Sequence, residues 1–65
     1  MTLGERIAAE RAAKGLTQAA LAHAAGIAQP TLSNLEAGHR DAAWSTVQAI
    51  AEALGLPAWK LVRPL

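Results

Sequence analysis

The sequence predicts a single all-α domain, residues 1–65, folded as a compact set of five short helices. Three observations carry the prediction. Seventeen of the 65 residues are alanine and few are β-branched, so strand signals are nearly absent. Gly15, Gly26, Gly38, Gly55 and Pro57 fall at regular intervals and divide the chain into five pieces. Within the pieces apolar residues return at helical spacing, most clearly at Trp44, Val47, Ile50, Ala51 and Leu54.

The first helix opens on Thr2-Leu3-Gly4-Glu5. Thr2 can cap it while Glu5 reaches back, the pattern of a capping box. It runs to about Lys14, and Gly15 supplies a C-terminal stop. Leu3 and Ile7 share one face. Thr17 is a good cap for the second helix, Gln18 to about Ala24, whose inward face holds Leu21, Ala22 and Ala25. Gly26 permits the positive φ of a sharp reversal. The third helix runs from about Gln29 to Ala37, with Pro30 in its first turn, where a missing N–H costs little. Leu32 and Leu35 point inward; Ser33 and Asn34 lie on the other side. The fourth begins near Ala43 and ends at Leu54-Gly55. Pro57 opens a last short helix, Ala58 to about Val62, and Pro64 opposes its continuation.

Bulk properties exclude several classes. The chain is near the lower end of what folds without staples. With no cysteine there is neither a disulfide framework nor a cysteine-ligated zinc site, which suits a reducing cytoplasm, the expected location. No run approaches the roughly 18 apolar residues of a membrane span. No basic-then-apolar leader is read at the N-terminus. Apolar residues make up 52%, but half of them are alanine, so the core should be thin and close-packed. Net charge is only +1, a weak basic footprint for a nucleic-acid binder.

Catalytic and cofactor chemistry finds no support. His23 and His39 fall on different elements with no carboxylate-rich cluster beside them, so no metal site is expected. Ser, His and Asp are present without an arrangement that makes a triad. The glycines follow no strand and form no phosphate loop. The chain is read as a non-enzyme without cofactor. Glu5, Arg6, Glu10 and Lys14 read as a solvated helix face, with Glu10–Lys14 a helpful pair.

The stretch Leu16–Gly38 carries most of the functional information. It reads as two short helices joined by a tight turn, with a helix-turn-helix core over residues 17–37. The second of these helices offers short, uncharged polar groups on the side away from Leu32 and Leu35. A helix held this way suits the major groove of DNA. Ala22 must be small where the two helices cross, Gly26 makes the turn, and Ile27, Leu32 and Leu35 anchor the outer helix.

Over essentially its whole length the chain resembles the phage-repressor and Cro type of helix-turn-helix domain, the XRE-like regulators with a lambda-repressor-like fold. The residues that carry the resemblance are GLTQ at Gly15–Gln18, LA at Leu21–Ala22, Gly26-Ile27, QPTLSNLEAG at Gln29–Gly38 and AIAEALGL at Ala49–Leu56. The resemblance implies that Gln29 and Asn34 read bases, since a side-chain amide bonds adenine N6 and N7 bidentately. It implies that Pro30 and Ser33 touch bases or a thymine methyl. Thr17, Gln18 and Thr31 would hold phosphates with help from helix N-termini, and His39 and Arg40 would grip the backbone. Arg11 and Glu36 would form a structural ion pair between the first and third helices. Ala28 and Ala43 stand where the family often has a capping residue, and Ala25 and Ala58 where larger apolar residues are frequent. The recognition helix has no Lys or Arg, so modest affinity and a shallow salt dependence are expected.

Trp59 falls where the resembling pattern is often polar. It lies three residues from Val62, with Leu65 beyond. Either it folds back over a core short of bulk, or Trp59, Val62 and Leu65 form a two-fold dimer contact within a segment spanning residues 57–65. The reading is a sequence-specific binder of double-stranded DNA: a small transcriptional regulator, read as a repressor, acting as a homodimer on a near-palindromic operator. Two alternatives stand beside it. One is an antitoxin that binds a toxin protein and represses its own operon, with the short tail beyond Leu56 counting against it. The other is a protein-interaction adaptor on the same fold.

Overall fold

A computed structural model describes residues 2–62, and all its regular structure is helical. The elements are α1 (Leu3–Ala13), α2 (Gln18–Ala25), α3 (Gln29–Glu36), α4 (Trp44–Leu54) and α5 (Trp59–Val62). Each expected helix is present, with ends within a residue or so. The third stops at Glu36, leaving Ala37 as its cap, and the fifth begins at Trp59.

Local chemistry sets the starts. Thr2 Oγ1 accepts the Glu5 N–H at 3.1 Å while Glu5 Oε1 accepts the Thr2 N–H at 2.8 Å, closing the capping box of α1. The hydrogen bond from the Thr2 backbone N–H, and after it the Thr2 side chain, hold the Glu5 carboxyl below its ordinary range. Thr17 Oγ1 accepts the Ala20 N–H at 3.0 Å and caps α2. Ala28 and Ala43 begin α3 and α4 with extended backbone and no side-chain hydrogen bond.

Helix α1 packs on α3, α2 lies against both α3 and α4, α4 also meets α1, and α5 rests on α1. The largest fully buried side chains are Ile7, Leu21, Leu32, Ile50 and Leu54. Ala22, Leu35, Val47, Ala51 and Leu61 complete the core. Each large aliphatic contributes about 1.5–3 kcal/mol by leaving water. The core is thin, as the alanine content implies, and spans a molecule of 27 × 23 × 20 Å.

Two placements differ from expectation. Trp44, spaced like a core residue, is 54% exposed. The buried stripe of α4 starts one turn later, at Val47. Spacing gives a side chain's direction, not whether a neighbouring helix extends far enough to cover it. Arg6, expected to be solvated, is half-buried, and its Nη1 donates to the Lys60 carbonyl at 3.1 Å, tying α1 to α5. Gly4 lies buried in the first turn of α1. A methyl group there would run into the Leu35 carbonyl oxygen and come within 2.9 Å of that of Glu36. The backbones of α1 and α3 approach this closely only because Gly4 has no side chain.

Candidate nucleic-acid interface

The turn between α2 and α3 is built from backbone bonds. Gly26 takes a left-handed conformation, φ 71°, and its N–H bonds back into the last turn of α2. The Ile27 N–H reaches the Ala22 carbonyl at 3.0 Å, closing a Schellman-type end. Ala22, 2% exposed, belongs to the core on which the two helices pack. Leu32 and Leu35 are buried, and they fix the roll of α3 on the core. One face of α3 is thereby committed inward and the other is presented.

The presented residues divide by exposure. Gln29, Pro30 and Asn34 are exposed, whereas Thr31 and Ser33 are half-buried. Gln29 and Asn34 thus stand out as the two amide side chains of α3 open to solvent. No side chain caps the first turn of α3, and Pro30 brings no N–H to it. After α3 the chain turns back: the His39 N–H bonds the Asn34 carbonyl at 2.9 Å. His39 and Arg40 are both exposed. Arg40 and Asp41 border a hollow of about 210 Å³ with Thr2, Leu3, Gly4, Leu35 and Gly38, so this loop lies over the start of α1.

Behind α3 lies a polar network. Arg11 grips Glu36 with two prongs, Nε to Oε2 at 2.8 Å and Nη2 to Oε1 at 3.0 Å. Its Nη1 donates to the Leu16 carbonyl at 2.8 Å. The hydrogen bond to Glu36 raises the Arg11 pKa further, so the guanidinium is always charged. The side chains are 20% and 7% exposed, so the pair is partly rather than fully buried. Gln18 joins it: its Nε2 donates to Glu36 Oε1 at 3.0 Å. Sequence reasoning assigned Gln18 a phosphate and missed this partner, because a bond between residues on different helices leaves no local spacing signal. Thr17 spends a lone pair on its cap but keeps its O–H as a donor.

At the far end Trp59 is 52% and Val62 47% exposed, with the Lys60 Nζ 6.0 Å from the Trp59 ring centroid. Leu61, which the sequence reading passed over, is the α5 side chain that enters the core. Leu65 lies outside the described residues. Among the described residues no helix is long and apolar enough to cross a membrane.

Comparison with known proteins agrees with this geometry. A helix-turn-helix family model matches residues 7–58. The chain is 37% identical over 62 residues to the immunity repressor of Bacillus phage phi105, covering 95% of this chain and 43% of that protein. It thus spans under half of the phage repressor's length. It is 39% identical over 62 residues to an HTH-type transcriptional regulator of Sinorhizobium fredii, covering 95% of this chain and 80% of that one. Among solved structures, the restriction-modification controller protein C.AhdI of Aeromonas hydrophila superposes with a TM-score of 0.89 at 30% identity, over 91% of this chain and 89% of that one. A hypothetical transcription factor from Neisseria, NHTF, gives 0.91 at 31%, over 95% and 71%. The compact five-helix arrangement, the Gly26 turn and these matches together place the chain in the Cro/C1-type helix-turn-helix family of DNA-binding transcription regulators.

Proposed function

We propose that this protein is a sequence-specific binder of double-stranded DNA that regulates transcription, as a repressor and as a homodimer on a near-palindromic operator. The observation that carries the reading is the split character of α3: Leu32 and Leu35 lock one face into the core, while Gln29, Pro30 and Asn34 stand exposed on the rest. Gln29 and Asn34 are assigned as base readers, with Pro30 and Ser33 as neighbouring contacts. Thr17, Gln18, Thr31, His39 and Arg40 are assigned to phosphates. The uncapped first turn of α3 adds free N–H groups, which favour an anion. The names of the relatives, a repressor, a transcriptional regulator and a controller protein among them, support a regulatory role.

To fit two half-sites, two copies in contact through α5 would need to present their α3 helices about 34 Å apart, one turn of the duplex. The exposed Trp59 and Val62 support that contact. The test is selection of bound duplexes from a random pool. An enriched motif with two related half-sites about 10 base pairs apart is expected. Asn34→Ala or Gln29→Ala should then lose about 1–3 kcal/mol and relax one base position. A uniform loss across all sequences would remove base reading from these residues. One observation favours another reading: α3 has no Lys or Arg. A pool with no enriched sequence would make the domain a protein-interaction adaptor instead.

A further inference from the structure

Glu36 sits where the network behind α3 meets the first residue of α2. A carboxylate accepts hydrogen bonds and donates none, so the Gln18 atom that faces it must be the amide nitrogen. That nitrogen lies 3.0 Å from Glu36 Oε1. The carboxylate cannot turn to follow a moving amide, because Arg11 holds both its oxygens, at 2.8 and 3.0 Å. Arg11 is itself moored to the Leu16 carbonyl at 2.8 Å, one residue before the α2 cap. The Gln18 amide is therefore fixed by a chain of bonds running from α1 through α3 to the first residue of α2.

An amide nitrogen carries two hydrogens. One is spent on Glu36; the other diverges from it. We propose that Glu36 is a positioning residue for DNA binding: it holds the Gln18 amide so that the second N–H of the same nitrogen is a preset donor to a backbone phosphate. The inference rests on the DNA-binding reading above. It gives the Arg11–Glu36 pair a second role besides joining helices. A free glutamine must surrender rotamer freedom when it meets a phosphate, whereas here that freedom is already lost in folding. Arg11 cancels the charge of Glu36, so the phosphate approaches a neutral pair rather than a bare carboxylate.

The test is a double-mutant cycle in DNA affinity, using the duplex enriched from the random pool. Wild type, Glu36→Gln, Gln18→Ala and the double variant are compared below their melting transitions. Glu36→Gln should weaken binding about 5- to 10-fold in the wild-type background and less than about 2-fold when Gln18 is already alanine. Equal losses in the two backgrounds would overturn the inference while leaving DNA binding intact. A pool with no enriched duplex would overturn both together. Should Glu36→Gln not fold, the wild-type protein gives the answer by side-chain amide NMR. On adding the duplex, one Gln18 Nε2 proton should shift and the other, on Glu36, should hold. Both shifting would mean that the amide leaves Glu36 to reach DNA, and neither shifting would mean that it makes no contact. Either result rejects the proposal.

Discussion

Gly4 shows how one missing methyl group sets the distance between two helices. Helix propensity alone favours alanine over glycine, by up to about 1 kcal/mol in a helix interior. The packing argues the opposite, since a Cβ there collides with the carbonyls of Leu35 and Glu36. Gly4→Ala should therefore destabilise the protein by about 1–3 kcal/mol in urea unfolding, despite the better helix former. A gain in stability would show that α1 and α3 can part at no cost. The sequence carries the signal as a glycine inside a helical run. Arg6 and Gln18 gave no such signal. Their partners, Lys60 and Glu36, are distant in sequence, and only the meeting of helices brings them together. The Arg11–Glu36 geometry was anticipated only because a family pattern pointed to it.

Elements were more legible than contacts because caps and turns are local. Thr2, Glu5, Thr17 and Gly26 each act within a few residues, and each does what its chemistry suggests. The exposed face of α3 was legible too, since a period of 3.6 residues opposes Asn34 to Leu32 and Leu35. Trp44 was not, because it depends on how far neighbouring helices reach. Two expectations follow at this scale. Ala43 starts α4 with the extended backbone of a cap but no acceptor. Ala43→Ser should add about 1 kcal/mol and raise Tm by about 4–8 °C in a thermal melt. At α1 the Glu5 carboxyl is held below its ordinary range by Thr2. A depressed folded-state pKa means that its contribution is complete above the unfolded value and is lost as pH falls through the folded one. Wild type should thus exceed Glu5→Gln in stability at neutral pH, and the two curves should converge in acid. Parallel curves across the acid range would show that the box contributes nothing through its charge.

The molecule as a whole has a net charge of only +1 and no basic residue on α3. A single copy offers few cations to a duplex, and counterion release, the main source of non-specific affinity, is correspondingly small. Doubling the contact surface is the direct remedy, and the exposed Trp59 and Val62 offer a place for it. If the proposed homodimer forms through α5, Trp59→Ala should move sedimentation equilibrium from dimer toward monomer at micromolar concentration while leaving the helical circular dichroism unchanged, and a wild-type protein that is already monomeric there would remove the proposed contact. An unaltered dimer would put the interface elsewhere.

The five largest buried side chains come from α1, α2, α3 and α4, and none from α5. The short last helix is held by Leu61, by Arg6 on the Lys60 carbonyl, and by its own bonds from Lys60 to Pro57 and Leu61 to Ala58. In hydrogen–deuterium exchange the first four helices should therefore open as one cooperative block, and the amides of Lys60 and Leu61 should exchange ahead of it. If two copies meet on α5, that early exchange slows as protein concentration rises, and the least protected part of the fold becomes a clock for its assembly.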